Sequence, residues 1–168
     1  MIFVGLVLCS IAVSAFAGSV NQTNEDFIAE TFADNTPKSK VVWIKNDLRP
    51  AIATILGHEY IGLRIRYWQQ GERTAWILEE IGKESPITFG IVITSGKVER
   101  VKVLAYRESR GGEIQQRAFT RQFTDATLKE QKLDRHIDGI SGATLSVRAM
   151  TSVVTMALYL TEFINQIE

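Results

Sequence analysis

The sequence contains a single cysteine, Cys9, and only two histidines, His58 and His136. One cysteine excludes an internal disulfide and the multi-cysteine motifs that bind iron–sulfur clusters or c-type haem. Two isolated histidines are too few to propose a metal site. If this protein transfers electrons, it therefore needs an organic cofactor, and we expect no metal or haem of its own.

A net charge of either sign is also missing, because 19 Lys and Arg balance 19 Asp and Glu. A neutral chain gives no electrostatic reason to expect nucleic-acid binding. The 168 residues are enough to bury one hydrophobic core. They contain no repeat, low-complexity segment or linker that would divide them. We therefore expect one domain.

Charged side chains are absent from the first 17 residues, which are apolar and end in Ala15-Phe16-Ala17. This small-x-small ending is typical of a signal-peptidase site. We expect residues 1–17 to be a signal peptide and residues 18–168 to form an exported domain in the periplasm. No Lys or Arg precedes the apolar run, however. An uncleaved membrane anchor remains the alternative, since the run is close to the span of about 20 residues that a bilayer requires.

The middle of the chain alternates apolar and polar residues with the period of β-strands. Residues 87–94 and 98–106 form the clearest hairpin, joined across Ser95-Gly96. Short amphipathic helices are predicted at residues 25–34 and 47–57. Consecutive hairpins without a βαβ rhythm predict an α+β fold, in which an antiparallel sheet is flanked by helices.

The C-terminal part of the chain reads as a glycine-bearing turn followed by a long amphipathic helix. The turn is the stretch from Asp138 to Ser146, and apolar residues then recur at helical spacing from Met150 to Ile167. Ser141 or Thr144 is predicted to cap this helix. The free N–H groups and partial positive charge of a helix N-terminus suit a phosphate. A hydrolase is disfavoured, because the nucleophile elbow needs glycine where Ala143 stands.

The residues Asp138 to Thr144 resemble the flavinylation motif of the FMN-binding domain family. This family includes the C subunit of the sodium-pumping NADH:quinone oxidoreductase and the G subunit of the Rnf complex. In those proteins the last Thr of Ser/Thr-Gly-Ala-Thr carries FMN through a phosphoester bond. The resemblance implies covalent FMN on Thr144. The residues expected to shape the turn around the phosphate are Ser141, Gly142, Ala143 and Leu145. Asp138 is either a simple turn residue or part of what the modifying enzyme recognises.

A second marked stretch, Arg107 to Glu113, follows the hairpin. Its composition alone indicates a solvated polar loop. In the family, a Glu- and Gly-containing loop at this place lies against the isoalloxazine ring. The resemblance therefore implies ring contacts by residues 108–112, with Glu108, Ser109, Arg110 and Gly111 as the principal candidates. Arg110 stands where many members of the family have Pro.

The resemblance covers roughly residues 85–160 and implies a function. It predicts an exported carrier that transfers electrons through covalent FMN. Its implied partners are an exported enzyme that transfers FMN from FAD, and membrane or soluble redox proteins. Two alternatives are a flavin-dependent reductase with its own small-molecule substrate and a flavin-free binding module of the same fold.

Overall fold

The computed structural model describes residues 23–33 and 35–167. The predicted signal peptide, residues 1–17, lies outside the described residues. Five antiparallel strands form one sheet in the order β1-β2-β3-β4-β5. Helices pack on both faces of this sheet, so the predicted α+β fold is confirmed. The elements are α1 (Asn24–Phe32), β1 (Lys40–Trp43), α2 (Leu48–Leu56), β2 (Arg64–Gln70), β3 (Arg73–Ile81), β4 (Pro86–Thr94), β5 (Lys97–Ala105), α3 (Arg117–Thr120), the small hairpin β6 (Leu128–Lys129) and β7 (Lys132–Leu133), and α4 (Thr144–Ile167).

The hairpin of β4 and β5 forms one side of the sheet, with β5 at its edge. Ser95 and Gly96 turn the chain with φ of 51° and 72°, the positive values that a tight hairpin turn requires. Phe89, Ile91 and Ile93 are fully buried. They belong to the main core, which α4 and α2 complete on the inner face of the sheet.

Helix α4 supplies much of that core. It is long and apolar enough to cross a membrane, but 67% of its most apolar window is buried inside the domain. Its Thr161 hydroxyl accepts a hydrogen bond of 2.9 Å from the indole N–H of Trp76 on β3 and lies 3.1 Å from the Thr74 hydroxyl. Core packing therefore accounts for the composition of this helix.

Helix α1 covers the outer face of the sheet. Thr23 and Asp26 form a capping box at its N-terminus. Its apolar side chains pack on the outer side of β3, β4 and β5, where they contact a cluster that includes Ala75, Val92 and Leu104. The outer sides of Val41 and Trp43 on β1 remain exposed. One part of the outer face is thus covered and another is open.

Candidate functional site

The turn before α4 positions the residues of the marked stretch. Ala143 N donates to Ile140 O at 2.9 Å, and Gly142 has a φ of 81°. These values describe a type II turn, which favours glycine at its third residue. Val147 N then donates to Ala143 O at 3.0 Å, so that α4 begins at Thr144 with Ala143 at the cap position.

The prediction that Ser141 or Thr144 caps α4 was therefore wrong. The turn takes up Ser141 and Gly142 and leaves Ala143 as the residue that accepts the first helical hydrogen bond. A normal cap residue has a side-chain oxygen that accepts from the N–H groups of the first turn. Alanine has no side-chain oxygen, so the N–H groups of the first turn remain available to another acceptor.

The loop after β5 lies against this turn. Tyr106 donates its hydroxyl hydrogen to Arg110 O, and the same hydroxyl lies 3.2 Å from Ser146 Oγ. Gly111 has a φ of 85°, and a Cβ there would lie 2.9 Å from both Ala143 Cβ and Tyr106 Oη. Glycine is thus required for both the backbone conformation and the close approach. The structure brings the two marked stretches together.

A pocket of about 540 Å³ opens where these segments meet. Thr144 is exposed on its wall, and its hydroxyl has no hydrogen-bond partner within residues 23–33 and 35–167. Ser146, one turn further into α4, is buried and bonded to Tyr106. Lys83 and Arg110 bring positive charge to the pocket; Lys83 Nζ also lies 3.0 Å from Glu84 Oε1, and the Glu108 carboxyl adds a negative charge to the lining. The lining residues are Lys83, Glu108, Ser109, Arg110, Gly142, Ala143, Thr144, Leu145 and Ser146.

The other candidate residues lie around or outside this pocket. Ser141 and Gly111 line a neighbouring depression of about 600 Å³, which shares Ser109, Arg110 and Gly142 with the first. Asp138 lines neither; its backbone N–H donates to Gln122 Oε1 at 2.8 Å. Thr144, Leu145 and Ala143 are thus grouped with Arg110, whereas Asp138 stands apart.

Glu108 holds the turn between β3 and β4. Its Oε1 accepts from the N–H groups of Lys83, Glu84 and Ser85 at 2.5, 2.8 and 3.0 Å. The hydrogen bonds from Ser85, Glu84 and Lys83 lower the pKa of the Glu108 carboxyl below its usual value. A Cβ at Gly82 would lie only 2.8 Å from this oxygen. Because that oxygen is engaged by the turn, Glu108 acts on the pocket chiefly by positioning Lys83.

Three residues of the site, Lys83, Tyr106 and Ser146, could not be predicted from the sequence. Lys83 comes from a turn more than 60 positions before Thr144 in the chain, and nothing in its local sequence marks it. Tyr106 ends a predicted strand, where an aromatic residue is ordinary. Ser146 follows the motif but is buried rather than exposed. Only the fold brings these residues to Thr144.

An uncapped helix start with an exposed hydroxyl and the cations Lys83 and Arg110 beside it is suited to a phosphate-bearing ligand. Residues 82–159 match the family model of the FMN-binding domain. The match covers somewhat less than half of the chain and confirms the predicted resemblance of this segment to the FMN-binding domain family. The match supports FMN as the ligand. No curated protein matches the chain.

Proposed function

We propose that this protein carries FMN covalently on Thr144 and transfers electrons outside the cytoplasm. The observation that carries the proposal is the state of the Thr144 hydroxyl. It is exposed, it has no partner in the described part of the chain, and it stands at the uncapped start of α4 in a pocket bordered by Lys83 and Arg110. A hydroxyl so placed is accessible to a modifying enzyme, and the phosphate it receives meets compatible charges.

The residues present fit the phosphate end of FMN. The uncapped N–H groups of α4 suit a phosphate oxygen, and a helix N-terminus stabilises a nearby negative charge by roughly 0.3–1 kcal/mol when the site is exposed. Such a gain orients a phosphate but does not retain a dilute ligand. A covalent bond does, because it keeps the local concentration of the flavin high. An exported protein benefits most, since free FMN would be lost by dilution.

The attachment requires a separate exported transferase that uses FAD. A bond forms between Thr144 Oγ1 and the phosphorus of the FMN half, while the bond from that phosphorus to the AMP half breaks. AMP leaves with the electron pair, and the hydroxyl proton passes to the transferase or to solvent. The phosphodiester that results keeps one negative charge, which matches the cations around the pocket.

Bound FMN supplies the redox chemistry by accepting and releasing electrons. The chain supplies the surroundings of the ring. Leu145, 45% exposed beside Thr144, offers an apolar surface, and Lys83 and Arg110 offer positive charge. Because the pocket is open to solvent, membrane or soluble redox partners can approach it.

Co-expression with an exported flavin transferase tests this function. We expect the intact chain to gain the mass of one FMN less one water and to remain yellow after denaturation. A protein that stays colourless beside an active transferase, while a known acceptor domain in the same cells is flavinylated, would overturn the proposal. It would favour the flavin-free binding module.

A flavin-dependent reductase is the second candidate, and one observation favours it. We call the pocket of about 540 Å³ that contains Thr144 the flavin pocket. A second pocket, of about 280 Å³, shares Leu145 with it and is lined by His58, Glu80 and Arg148. His58 Nε2 lies 3.0 Å from Glu80 Oε1. A small polar substrate would find both charge signs there. Turnover with a soluble donor and a soluble acceptor, in the absence of partner proteins, would establish this function.

A further inference from the structure

The edge of the sheet where β1 pairs with the start of β2 carries several exposed apolar side chains. They lie on more than one face, because Leu63 stands opposite Ile44 whereas Arg64 stands opposite Trp43. Trp43 on β1 is 52% exposed, and Ile61 and Leu63 in the segment before β2 are 91% and 67% exposed. Val41, also exposed, lies two residues before Trp43 on the same side of β1. We call these four side chains, together with Arg64 and Arg66, the Trp43 surface. Exposed apolar groups that cluster in this way mark an interaction site.

The fold presents this surface rigidly. The guanidinium of Arg49, on α2, donates to the carbonyl oxygens of Tyr60 at 2.6 Å, Ile44 at 3.1 Å and Gly62 at 3.3 Å. Ile44 N also donates to Leu63 O at 2.9 Å. The backbone on both sides of Ile61 is therefore fixed to the end of β1 while the Ile61 side chain points to solvent. A flexible loop would be expected to bury such a side chain.

Cations surround the exposed tryptophan. Lys45 Nζ lies 5.5 Å and Arg64 Cζ 6.0 Å from the centre of the Trp43 ring. Arg64 and Arg66 form no ion pair with any residue that the structure describes. The adjoining grooves are also lined by Glu25, Glu59, Glu79 and Glu80. Of these, Glu79 is engaged by Arg107 and Thr88, and Glu80 by His58. The charges placed against the Trp43 ring itself are the positive ones of Lys45 and Arg64.

The N-terminal part of the chain approaches from the same side. Asn24, the first residue of α1, lines both grooves that contain Arg64 and Arg66. Only residues 18–23 separate α1 from the apolar run that ends at Ala17. Even fully extended, that segment reaches at most about 20 Å. As long as the run is not cleaved, whatever holds it is therefore close to the Trp43 surface.

We propose that the Trp43 surface rests on an anionic lipid bilayer. Tryptophan prefers the headgroup region, where its ring is apolar and its N–H can still be hydrated. Exposed Ile and Leu side chains enter the acyl boundary, and Arg and Lys attract anionic headgroups. A bilayer covers all three kinds of side chain at once. This proposal concerns a different face from the flavin site and stands whether or not Thr144 is modified.

The sheet sets the distance between the two faces. β1 lies at one edge and β5 at the other, and neighbouring strands are about 4.8 Å apart. The four intervals across the sheet therefore separate the Trp43 surface from the end of β5 by about 19 Å. The loop that borders the flavin pocket follows β5. A chain bound through the Trp43 surface holds that pocket away from the lipid.

Tryptophan quenching in the full chain tests the proposal. Trp43, Trp68 and Trp76 all lie outside residues 1–17, so the apolar run itself gives no signal. In vesicles of brominated phosphatidylglycerol we expect strong quenching that Trp43→Phe removes. Trp68→Phe, on neighbouring β2, is the matched control and should keep it. Each cation near an anionic surface contributes about fivefold to binding. The double variant Arg64→Gln/Arg66→Gln should therefore reduce quenching to the level seen in brominated phosphatidylcholine.

Three outcomes would overturn the proposal. One is quenching that does not differ between the unmodified chain and Trp43→Phe. A second is quenching by phosphatidylcholine as strong as by phosphatidylglycerol. The third is a lipid-free dimer that Trp43→Ser disrupts, which would assign the surface to a second copy of the chain. Because the variants change exposed side chains, an unchanged circular dichroism spectrum can verify their fold.

Discussion

At the scale of single residues, three hydroxyl groups near the flavin pocket differ in what surrounds them. Ser146 is buried and bonded to Tyr106, and Ser141 lies on the turn beside the neighbouring depression. Thr144 alone of the three is exposed within the pocket that contains Lys83. Ser109 is also exposed on this pocket, so the position of Thr144 at the start of α4, together with the motif, distinguishes the hydroxyl that we expect to be modified.

We therefore expect Thr144→Ala to abolish covalent flavin while the protein still folds. The variant should not lose a helix cap, because Ala143 occupies that position. Mass spectrometry of protein co-expressed with the transferase measures the effect. Ser141→Ala is the control and should retain the flavin on Thr144, although the transfer rate can fall. A Thr144→Ala protein that stays covalently yellow, or a flavinylated peptide that maps to Ser141, would contradict the assignment.

Three glycines of the site allow backbone strain to be separated from crowding. Gly111→Ala places a Cβ 2.9 Å from Ala143 and Tyr106 at a φ of 85°. A left-handed backbone costs an alanine roughly 1–2 kcal/mol, and the crowding adds to this, so we expect the free energy of unfolding to fall by more than that amount. Gly142→Ala has a φ of 81° with open space around it and should lose only about that amount. Gly139→Ala has neither constraint and should be nearly neutral. Urea unfolding orders the three variants; an equal loss of stability at Gly111 and Gly142 would contradict the close approach.

Glu108 gives the stability of the site a pH dependence of known sign. The backbone hydrogen bonds from Ser85, Glu84 and Lys83 lower the pKa of Glu108 in the folded state. The carboxylate therefore stabilises the fold above its unfolded pKa, and this contribution is lost as pH falls through the lower folded pKa. We expect Glu108→Gln to lower the urea midpoint at pH 7, and the difference from the unmodified protein to shrink as the pH falls through the lowered pKa of Glu108. The control is Glu113→Gln, on the exposed side of the same loop. A constant difference at all pH values would refute the ionic role.

At the scale of elements, α4 and β3 are joined by a buried hydrogen-bond network. Trp76 Nε1 donates to Thr161 Oγ1 at 2.9 Å and lies 3.2 Å from Thr74 Oγ1. Thr161→Val removes one acceptor from a fully buried indole N–H, which should cost about 1–3 kcal/mol. Thr155→Val is a matched control, since the Thr155 hydroxyl bonds only to Thr151 O of its own helix. Equal urea midpoints for the two variants would mean that Thr74 alone satisfies Trp76.

Elements with a strong local pattern could be predicted from the sequence. The amphipathic helix predicted at 25–34 is α1, and the residues of its apolar face, Phe27, Ile28, Thr31 and Phe32, are all buried. The β4–β5 hairpin and α4 were also predicted, because a period of two and a run of helical spacing leave few alternatives. The short apolar run from Val41 to Ile44 was not assigned. It forms β1 only because it pairs with β2, which lies more than 20 positions further along the chain.

The details of the candidate site depended on longer-range contacts. The motif located Thr144, but the cap at Ala143 follows from the geometry of a turn that the sequence permits without requiring. The role of Glu108 follows from three N–H groups contributed by a different hairpin. Ring contacts by Ser109, Arg110 and Gly111 remain a prediction.

At the scale of the whole molecule, the predicted export and signal-peptide cleavage can be measured directly. The charge-free run and its Ala15-Phe16-Ala17 ending predict cleavage after Ala17. N-terminal sequencing of protein from its native compartment should begin at Gly18. Recovery of an intact form from Met1, found only in the membrane fraction, would instead establish the anchor.

Because α4 follows every other described element in the chain, it is synthesised after them. All five strands of the sheet and the loop of Gly111 leave the ribosome before α4 does. Until α4 emerges, only α2 and the short elements after β5 are available to cover the inner face of the sheet, and the wall that holds Thr144 does not exist. The element that completes the core is thus also the element that completes the pocket. A chain that stalls before α4 has neither a stable fold nor a place for the cofactor, so maturation of the flavin site reports that folding has finished.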